Sequence, residues 1–302
     1  MSRQADRNGS LGIVERRRAR GCGSVLAACL LLATVPGAAG AQAADSKTSA
    51  GLAYEASGAG EAIVLIHAFS LDRRMWAPQI ALLKSRFRAV RYDLRGHGQS
   101  EGPVGPFAAH EDLRSVLDAL GIDRATLIGL SAGAHVATDF SLAYPDRVAR
   151  MILAAPGLGG YVPPAPFDWA QPVFQAAAAG DPAGAAKLWA ETPIMQLRNN
   201  PASAPTVTDL VMSNARLWSY RTNPAQQLTP PAIKRLSEIS CPVLVIVGDQ
   251  DLPHIQEIAG LLAAGIPAAR IVNIPRAGHI VNLDAPEEFN QAVESFLTET
   301  GR

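Results

Sequence analysis

Gly129-Leu130-Ser131-Ala132-Gly133 sets one hydroxyl between two glycines, after the apolar run Thr126-Leu127-Ile128 and before a series of small, helix-compatible residues. A strand, a sharp turn and a helix in that order would lift the serine oxygen clear of a sheet edge. The glycines permit the tight backbone such a turn needs. A serine hydroxyl is too weak an acid to attack a carbonyl unaided. A histidine must take its proton, and a carboxylate must orient that histidine and stabilise its charge. The Gly-x-Ser-x-Gly pattern alone occurs by chance in roughly one chain in ten of this length, so its partners decide what it is worth.

Six histidines are available as the base. His279, in Ala277-Gly278-His279, directly follows the last apolar run of strand length, where its ring can reach a serine on a neighbouring strand end. Asp251 and Asp249 share the loop Gly248-Asp249-Gln250-Asp251 after the preceding run, and either could supply the acid. Of the others, His135 lies one turn beyond the serine, where it packs or hydrogen-bonds. His110 belongs to a helix start, and His254 reads as a solvent-exposed loop residue. The negative charge that develops on a carbonyl under attack needs two aimed donors. The backbone N–H of Ala132 is positioned to be one of them.

The elements that must position these groups alternate along the chain. Ala62-Ile63-Val64-Leu65-Ile66 is continuously apolar, as expected of a strand covered on both faces. Helix-like residues 76–83 follow, then a strand at Ala89-Val90-Arg91-Tyr92. Leu113, Val116, Leu117 and Leu120 recur at helical spacing, with Gly121 where a C-cap belongs. Residues 148–154 form another strand. Dense Pro and Gly then open a stretch with no convincing strand, holding Trp169, Trp189 and Trp218. These tryptophans either fill that stretch's own core or line an apolar substrate pocket beneath a helical lid. Alternation resumes with a strand at 243–247, a helix at 255–262, a strand at 270–274 and a last helix. Asp284 is expected to cap that helix, in a capping box with Glu287. Strands alternating with helices imply an α/β fold, a mostly parallel central sheet with helices on both faces, which binds ligands beyond the carboxyl ends of its strands.

With 302 residues, 48% of them hydrophobic and 18% charged, the chain suits one large domain. Lys plus Arg and Asp plus Glu both total 27, so charge points to no nucleic-acid partner. The basic cluster Arg16-Arg17-Arg18-Ala19-Arg20, an apolar run over 25–35 and the small-x-small site Ala41-Gln42-Ala43 read as a secretory signal peptide over residues 1–43. The protein is therefore expected to be exported, periplasmic or extracellular. The alternative is a lipoprotein processed at Cys29, within Leu26-Ala27-Ala28-Cys29. Loss of Cys22 and Cys29 would leave Cys241 alone, a structural residue at a strand start with no disulfide partner. No His/Cys/Asp cluster has metal-ligand spacing, and neither a metal nor an organic cofactor is expected.

From about Gly51 to the last helix the chain resembles the α/β-hydrolase superfamily, in its serine-nucleophile branch with a helical lid. The resemblance rests on the serine turn, a Gly-x-x-Asp acid loop and a Gly-His pair after the next strand. Asp93-Leu94-Arg95-Gly96-His97-Gly98-Gln99-Ser100 is also similar to the family's turn after its fourth strand. It implies Ser131, Asp251 and His279 as the triad, favouring Asp251 over Asp249, and a structural role for Arg95 and His97. It also implies Phe69, in His67-Ala68-Phe69-Ser70, as the second backbone donor of the oxyanion hole. Ala68 departs from the family's usual glycine, as does Ala134 beyond the serine turn, and the family's first strand is barely visible before Leu52. The implied organisation is a hydrolase core over 44–156 and 241–302 around a helical lid at 157–240.

The expected function is a serine hydrolase acting on a small carboxylic ester or lactone through an acyl-enzyme, its partner a small molecule and its oligomeric state unspecified. Serine at the turn argues against the family's dehalogenases and epoxide hydrolases, which place Asp there. A C–C bond hydrolase or a peroxide-using acyl enzyme would share the same triad. The non-enzymatic alternatives are a ligand-binding protein that keeps the pocket and a surface lipoprotein with an idle hydrolase fold.

Overall fold

The computed structural model describes residues 46–164, 167–220 and 224–299; the expected leader, with Cys22 and Cys29, lies outside them. The strands are β1 (Ser46–Lys47), β2 (Ala53–Ser57), β3 (Ala62–Ile66), β4 (Arg88–Tyr92), β5 (Ala125–Leu130), β6 (Val148–Ala154), β7 (Val243–Gly248) and β8 (Ala269–Ile274). They form one sheet in the order β1-β2-β4-β3-β5-β6-β7-β8. Strands β4, β3, β5, β6, β7 and β8 run parallel, and β1 and β2 join antiparallel at one edge.

Strands β5 and β7 are buried along their whole length, which is why their sequences are runs rather than alternations. At the far edge β8 leaves Ile271 exposed. The sequence barely hints at β2, because Ala, Glu and Ser are poor strand formers. It exists through pairing: Tyr54 sits opposite Tyr92, and Glu55 opposite Arg91, with an ion pair of 2.8 Å.

The helices are α1 (Ala77–Leu83), α2 (Ala109–Ala119), α3 (Ala132–Ala143), α4 (Gln171–Ala178), α5 (Pro182–Ala190), α6 (Ala204–Ser213), α7 (Pro253–Gly265), α8 (Val281–Asp284) and α9 (Pro286–Thr298). Helix α3 packs on β3, β5 and β6. Its small residues let it lie close: a Cβ on Gly133 would stand 2.1 Å from the carbonyl oxygen of Ile66. The described part of 157–240 holds α4, α5, α6 and single 3-10 turns, with no named strand. Cys241 is partly buried, and burial pushes its thiol up to about 11, so it stays protonated and inert.

One expectation fails here. Asp284 does not cap the last helix, which starts at Pro286 with Ala285 at its N-cap. The Asp284 side chain is instead fully buried, and it accepts backbone N–H bonds from Gly278 at 2.6 Å, Arg198 at 3.0 Å, Asn199 at 2.7 Å and Asn200 at 2.9 Å. Four backbone donors, three from residues 198–200 and one from Gly278, outweigh a single local cap.

Candidate active site

Ser131 sits between β5 and α3 with φ 55° and ψ −112°, a conformation that costs a residue bearing a Cβ. The strain falls on the serine itself. Neither flanking glycine has positive φ; they are needed for close approach instead. A Cβ on Gly129 would lie 2.3 Å from the carbonyl oxygen of Gly133. The turn is held by Ser131 N–H donating to Ala154 and by the Ser131 carbonyl accepting from Ala134, His135 and Gly157.

Asp251 and His279 leave the carboxyl ends of β7 and β8. The two loops are laced together: Gln250 N–H donates to Ala277 at 2.9 Å, and a Cβ on Gly248 would meet the Ala277 oxygen at 2.1 Å. His279, 2% exposed, places Nδ1 at 3.0 and 3.1 Å from the two Asp251 oxygens. That contact holds the proton on Nδ1 and leaves Nε2 with its lone pair, the form a general base requires. Asp249 is exposed and accepts the N–H of Arg276 at 2.6 Å, so it serves the turn and not the imidazole.

His254 proves to be neither in a loop nor fully exposed. It occupies the first turn of α7, half-buried, with its ring 4.7 Å from that of Phe167. Burial, together with the nearby His279, pushes its pKa below the usual histidine value. His110 lies in the first turn of α2, and His135 pairs with Asp139 one helical turn on, at 3.3 Å.

The loop after β3 carries Phe69, and three groups clamp it. His67 is fully buried; its Nε2 accepts the Leu94 N–H at 2.8 Å, and its Nδ1–H donates to the Ala68 carbonyl at 2.8 Å. His97 Nε2 accepts the Ser70 N–H at 3.3 Å, and Trp189 Nε1 donates to Ser70 Oγ at 2.7 Å. Burial lowers the pKa of His67 to about 4 and that of His97 to about 3, so both rings are neutral and free to accept. Ala68 is tolerated because the positive φ falls two residues later, at Ser70 (φ 65°). The structural role that the resemblance implies for His97 takes the form of this bond to Ser70, while the clamping role of His67 was not foreseen, its only signal being its place beside a strand end. Neither Phe69 nor Ala132 donates its backbone N–H to another described residue, which leaves both free for an oxyanion.

The three tryptophans join one aromatic cluster above this loop. Phe69 meets the rings of Trp189 and Trp218 edge-on at 5.9 and 5.6 Å, and Trp169 lies 5.9 Å from Trp189. A cavity of about 490 Å³ opens beside them, with Phe69, Ala132, His135 and Trp218 among its walls. Trp169 and Trp189 are not among the residues that line it. Among the described residues, no group of three or more His, Cys, Asp or Glu side chains could hold a metal ion.

A strained serine at a strand-to-helix turn, with acid and histidine loops after the last two strands, prepares for what comparison finds: residues 63–292 match the model of the alpha/beta hydrolase family. The chain belongs to that family. Among curated relatives of this alpha/beta hydrolase is the 2-hydroxy-6-oxononadienedioate/2-hydroxy-6-oxononatrienedioate hydrolase of Paraburkholderia phymatum, 30% identical over 81% of this chain and 90% of the relative. Among solved structures, the enol-lactonase of Burkholderia xenovorans LB400 superposes with TM-score 0.67 at 28% identity, covering 82% of this chain and 96% of the lactonase. A thermophilic esterase from Thermogutta terrifontis gives TM-score 0.67 at 28% identity, over 85% and 98% of the two chains. This alpha/beta hydrolase thus shares its fold with an enol-lactonase and an esterase.

Proposed function

We propose that the protein is a serine hydrolase of small carboxylic esters or lactones, working through an acyl-enzyme on Ser131, His279 and Asp251. The observation that carries the reading is the buried contact of His279 Nδ1 with both Asp251 oxygens, which readies Nε2 as the base. Ser131 Oγ attacks the substrate carbonyl while Nε2 takes its proton. The oxyanion accepts hydrogen bonds from the N–H groups of Ala132 and Phe69. Collapse breaks the carbonyl-to-oxygen bond, and His279 returns the proton to the departing alkoxide. Water, deprotonated by the same Nε2, then attacks the acyl-enzyme, and collapse releases the acid and restores the Ser131 hydroxyl. In this reading the helical segment at 157–240 acts as a lid over the acyl group, supported by the packing of Trp189 and Trp218 on Phe69.

The test is turnover of p-nitrophenyl esters and simple lactones, with mass-spectrometric mapping of a serine-reactive phosphonate. Labelling at Ser131, with turnover lost in Ser131→Ala and in His279→Ala, is the expected result. Wild-type rates in either variant would overturn the mechanism. A second reading, hydrolysis of a carbon–carbon bond beside a ketone on the same residues, is favoured by the relative named for an oxononadienedioate. Export also belongs to this proposal, with residues 1–43 as a cleaved leader or Cys29 as a lipidation site.

A further inference from the structure

The cavity of about 490 Å³ is lined by Phe69 and Ala132, whose N–H groups are the proposed oxyanion donors, and neither Asp251 nor His279 lines it. In acyl transfer the departing oxygen must face the imidazole that protonates it. The acyl part of the substrate therefore turns the other way, into this cavity.

His135 stands where that acyl part begins. Its N–H donates to the Ser131 carbonyl at 3.1 Å, which places it one regular helical turn after the nucleophile. Residues at this spacing have Cβ atoms about 5–6 Å apart, and helical side chains lean towards the N-terminus of their helix. The imidazole thus leans back towards Ser131. It is also accessible, because the side chain is 29% exposed and lines the cavity.

The two edges of the ring have different neighbours. Nε2 lies 3.3 Å from an Asp139 oxygen, and a Cβ on Gly159 would meet Nε2 at 2.8 Å and Cδ2 at 3.4 Å. That edge is packed against α3 and the loop after β6, so the exposed edge is the one bearing Nδ1. Nδ1 hydrogen-bonds to no described residue, and it is not sealed in the core as the unpaired Nε1 of Trp218 is. A carboxylate beside Nε2 favours the proton there, which leaves Nδ1 a lone pair to offer.

Neighbouring polar groups on the wall are committed. His97 lines the cavity too, but its Nε2 accepts the Ser70 N–H and its Nδ1 meets the Arg95 carbonyl at 3.1 Å. Arg95 donates to both Asp112 oxygens, at 2.9 and 2.6 Å. Ala132 and Val136, which flank His135 on the α3 wall, are apolar. His135 is thus an open acceptor that the nucleophile's own helix presents to the cavity.

We infer that His135 determines specificity for the acyl group: its Nδ1 accepts a hydrogen bond from a hydroxyl near the reacting carbonyl, and the preferred substrates are esters or lactones of 3-hydroxy acids. In the acyl-enzyme four bonds separate a 3-hydroxyl oxygen from Ser131 Oγ, a reach comparable with the spacing of neighbouring helical turns. The imidazole stands on one side of the chain, so one enantiomer is preferred. The inference rests on the ester or lactone hydrolase reading and narrows its substrate class.

Two measurements test it. The first compares kcat/KM for p-nitrophenyl hexanoate, each enantiomer of its 3-hydroxy analogue, and its 6-hydroxy analogue. One 3-hydroxy enantiomer is expected to exceed the hexanoate about fivefold or more, the magnitude of one hydrogen bond. In His135→Phe that advantage should vanish, and in His135→Gln, which keeps an acceptor, it should return in part. The 6-hydroxy ratio should be the same in all three proteins. Ratios within one protein are insensitive to a general loss of folded enzyme. The second measurement is binding of hexanamide and 3-hydroxyhexanamide to Ser131→Ala, read by tryptophan fluorescence. The hydroxyl compound should bind tighter, and the difference should disappear when His135→Phe is added. A gain in either measurement that His135→Phe removes supports the inference. Absence of turnover with that binding order sinks the hydrolase reading and leaves His135 as the acceptor. A 3-hydroxy compound that gains nothing in either measurement, or a gain that His135→Phe leaves intact, overturns the inference, and the hydrolase reading then stands if the esters are turned over.

Discussion

Trp189 Nε1 donates a 2.7 Å hydrogen bond to Ser70 Oγ, joining α5 to the loop that follows β3 across 119 residues of sequence. Ser70 holds positive φ and neighbours Phe69, whose N–H is a proposed oxyanion donor. The indole thus ties the helical segment to the backbone that would receive the developing charge.

Trp189→Phe keeps the ring contacts with Phe69 and Trp218 and removes only the N–H. Ser70 Oγ then loses its donor in a buried site, at about 1–3 kcal/mol. Esterase kcat is expected to fall about tenfold with little change in KM, since an oxyanion donor acts in the transition state. A change confined to KM would place Trp189 in substrate binding instead.

Comparing Asp251→Asn with Asp249→Asn separates the two acids. The first variant loses the acceptor that fixes the His279 tautomer, and kcat is expected to drop by about 10⁴-fold. The second removes a bond to the Arg276 N–H at the surface, and kcat should change by less than about threefold, since surface changes of this kind are small. The reverse ranking would reassign the acid.

Asp284 gathers four backbone N–H groups, one of them from Gly278 beside His279. Asp284→Ala strands these donors, and thermal unfolding should report a loss of at least about 3 kcal/mol. Asp284→Glu should recover part of both stability and kcat. If the alanine variant melts like the wild type, the carboxylate is dispensable.

Neutral His67 and His97 make stability depend on pH. Their pKa values in the fold are about 4 and about 3, against about 6.5 in an unfolded chain. Between these values the unfolded state binds more protons, so stability is full above about pH 6.5 and falls as the medium is acidified through the folded values. Urea midpoints measured from pH 7.5 to pH 4 should decline. The decline should be shallower in His97→Gln, and an identical slope in that variant would exclude His97 as a source.

N-terminal sequencing of the exported protein tests the leader. A mature start at Ala44 is expected, and a lipidated Cys29 at the N-terminus would replace that assignment.

Local pattern carried much of this protein. Strands β3, β5, β6 and β7, the serine turn, and the order of serine, acid loop and His279 were all legible, because each rests on a run of apolar residues and the few residues directly after it. Strand β2 was not legible, since pairing with β4 creates it against weak propensity. The capping role expected of Asp284 rested on spacing to Glu287, and a competing set of donors from residues 198–200 and 278 overrode it.

By itself the sequence determined the sheet's parallel body, the serine turn and the two loops after the last strands, because short-range periodicity and turn chemistry specify these. Only the tertiary structure decided that Asp251 and not Asp249 meets His279, that His67, His97 and Trp189 clamp the Phe69 loop, and that His135 lines a cavity together with Phe69. Those outcomes depend on side chains from distant segments meeting in space, where burial removes water and leaves each polar atom dependent on whichever neighbour the fold brings to it.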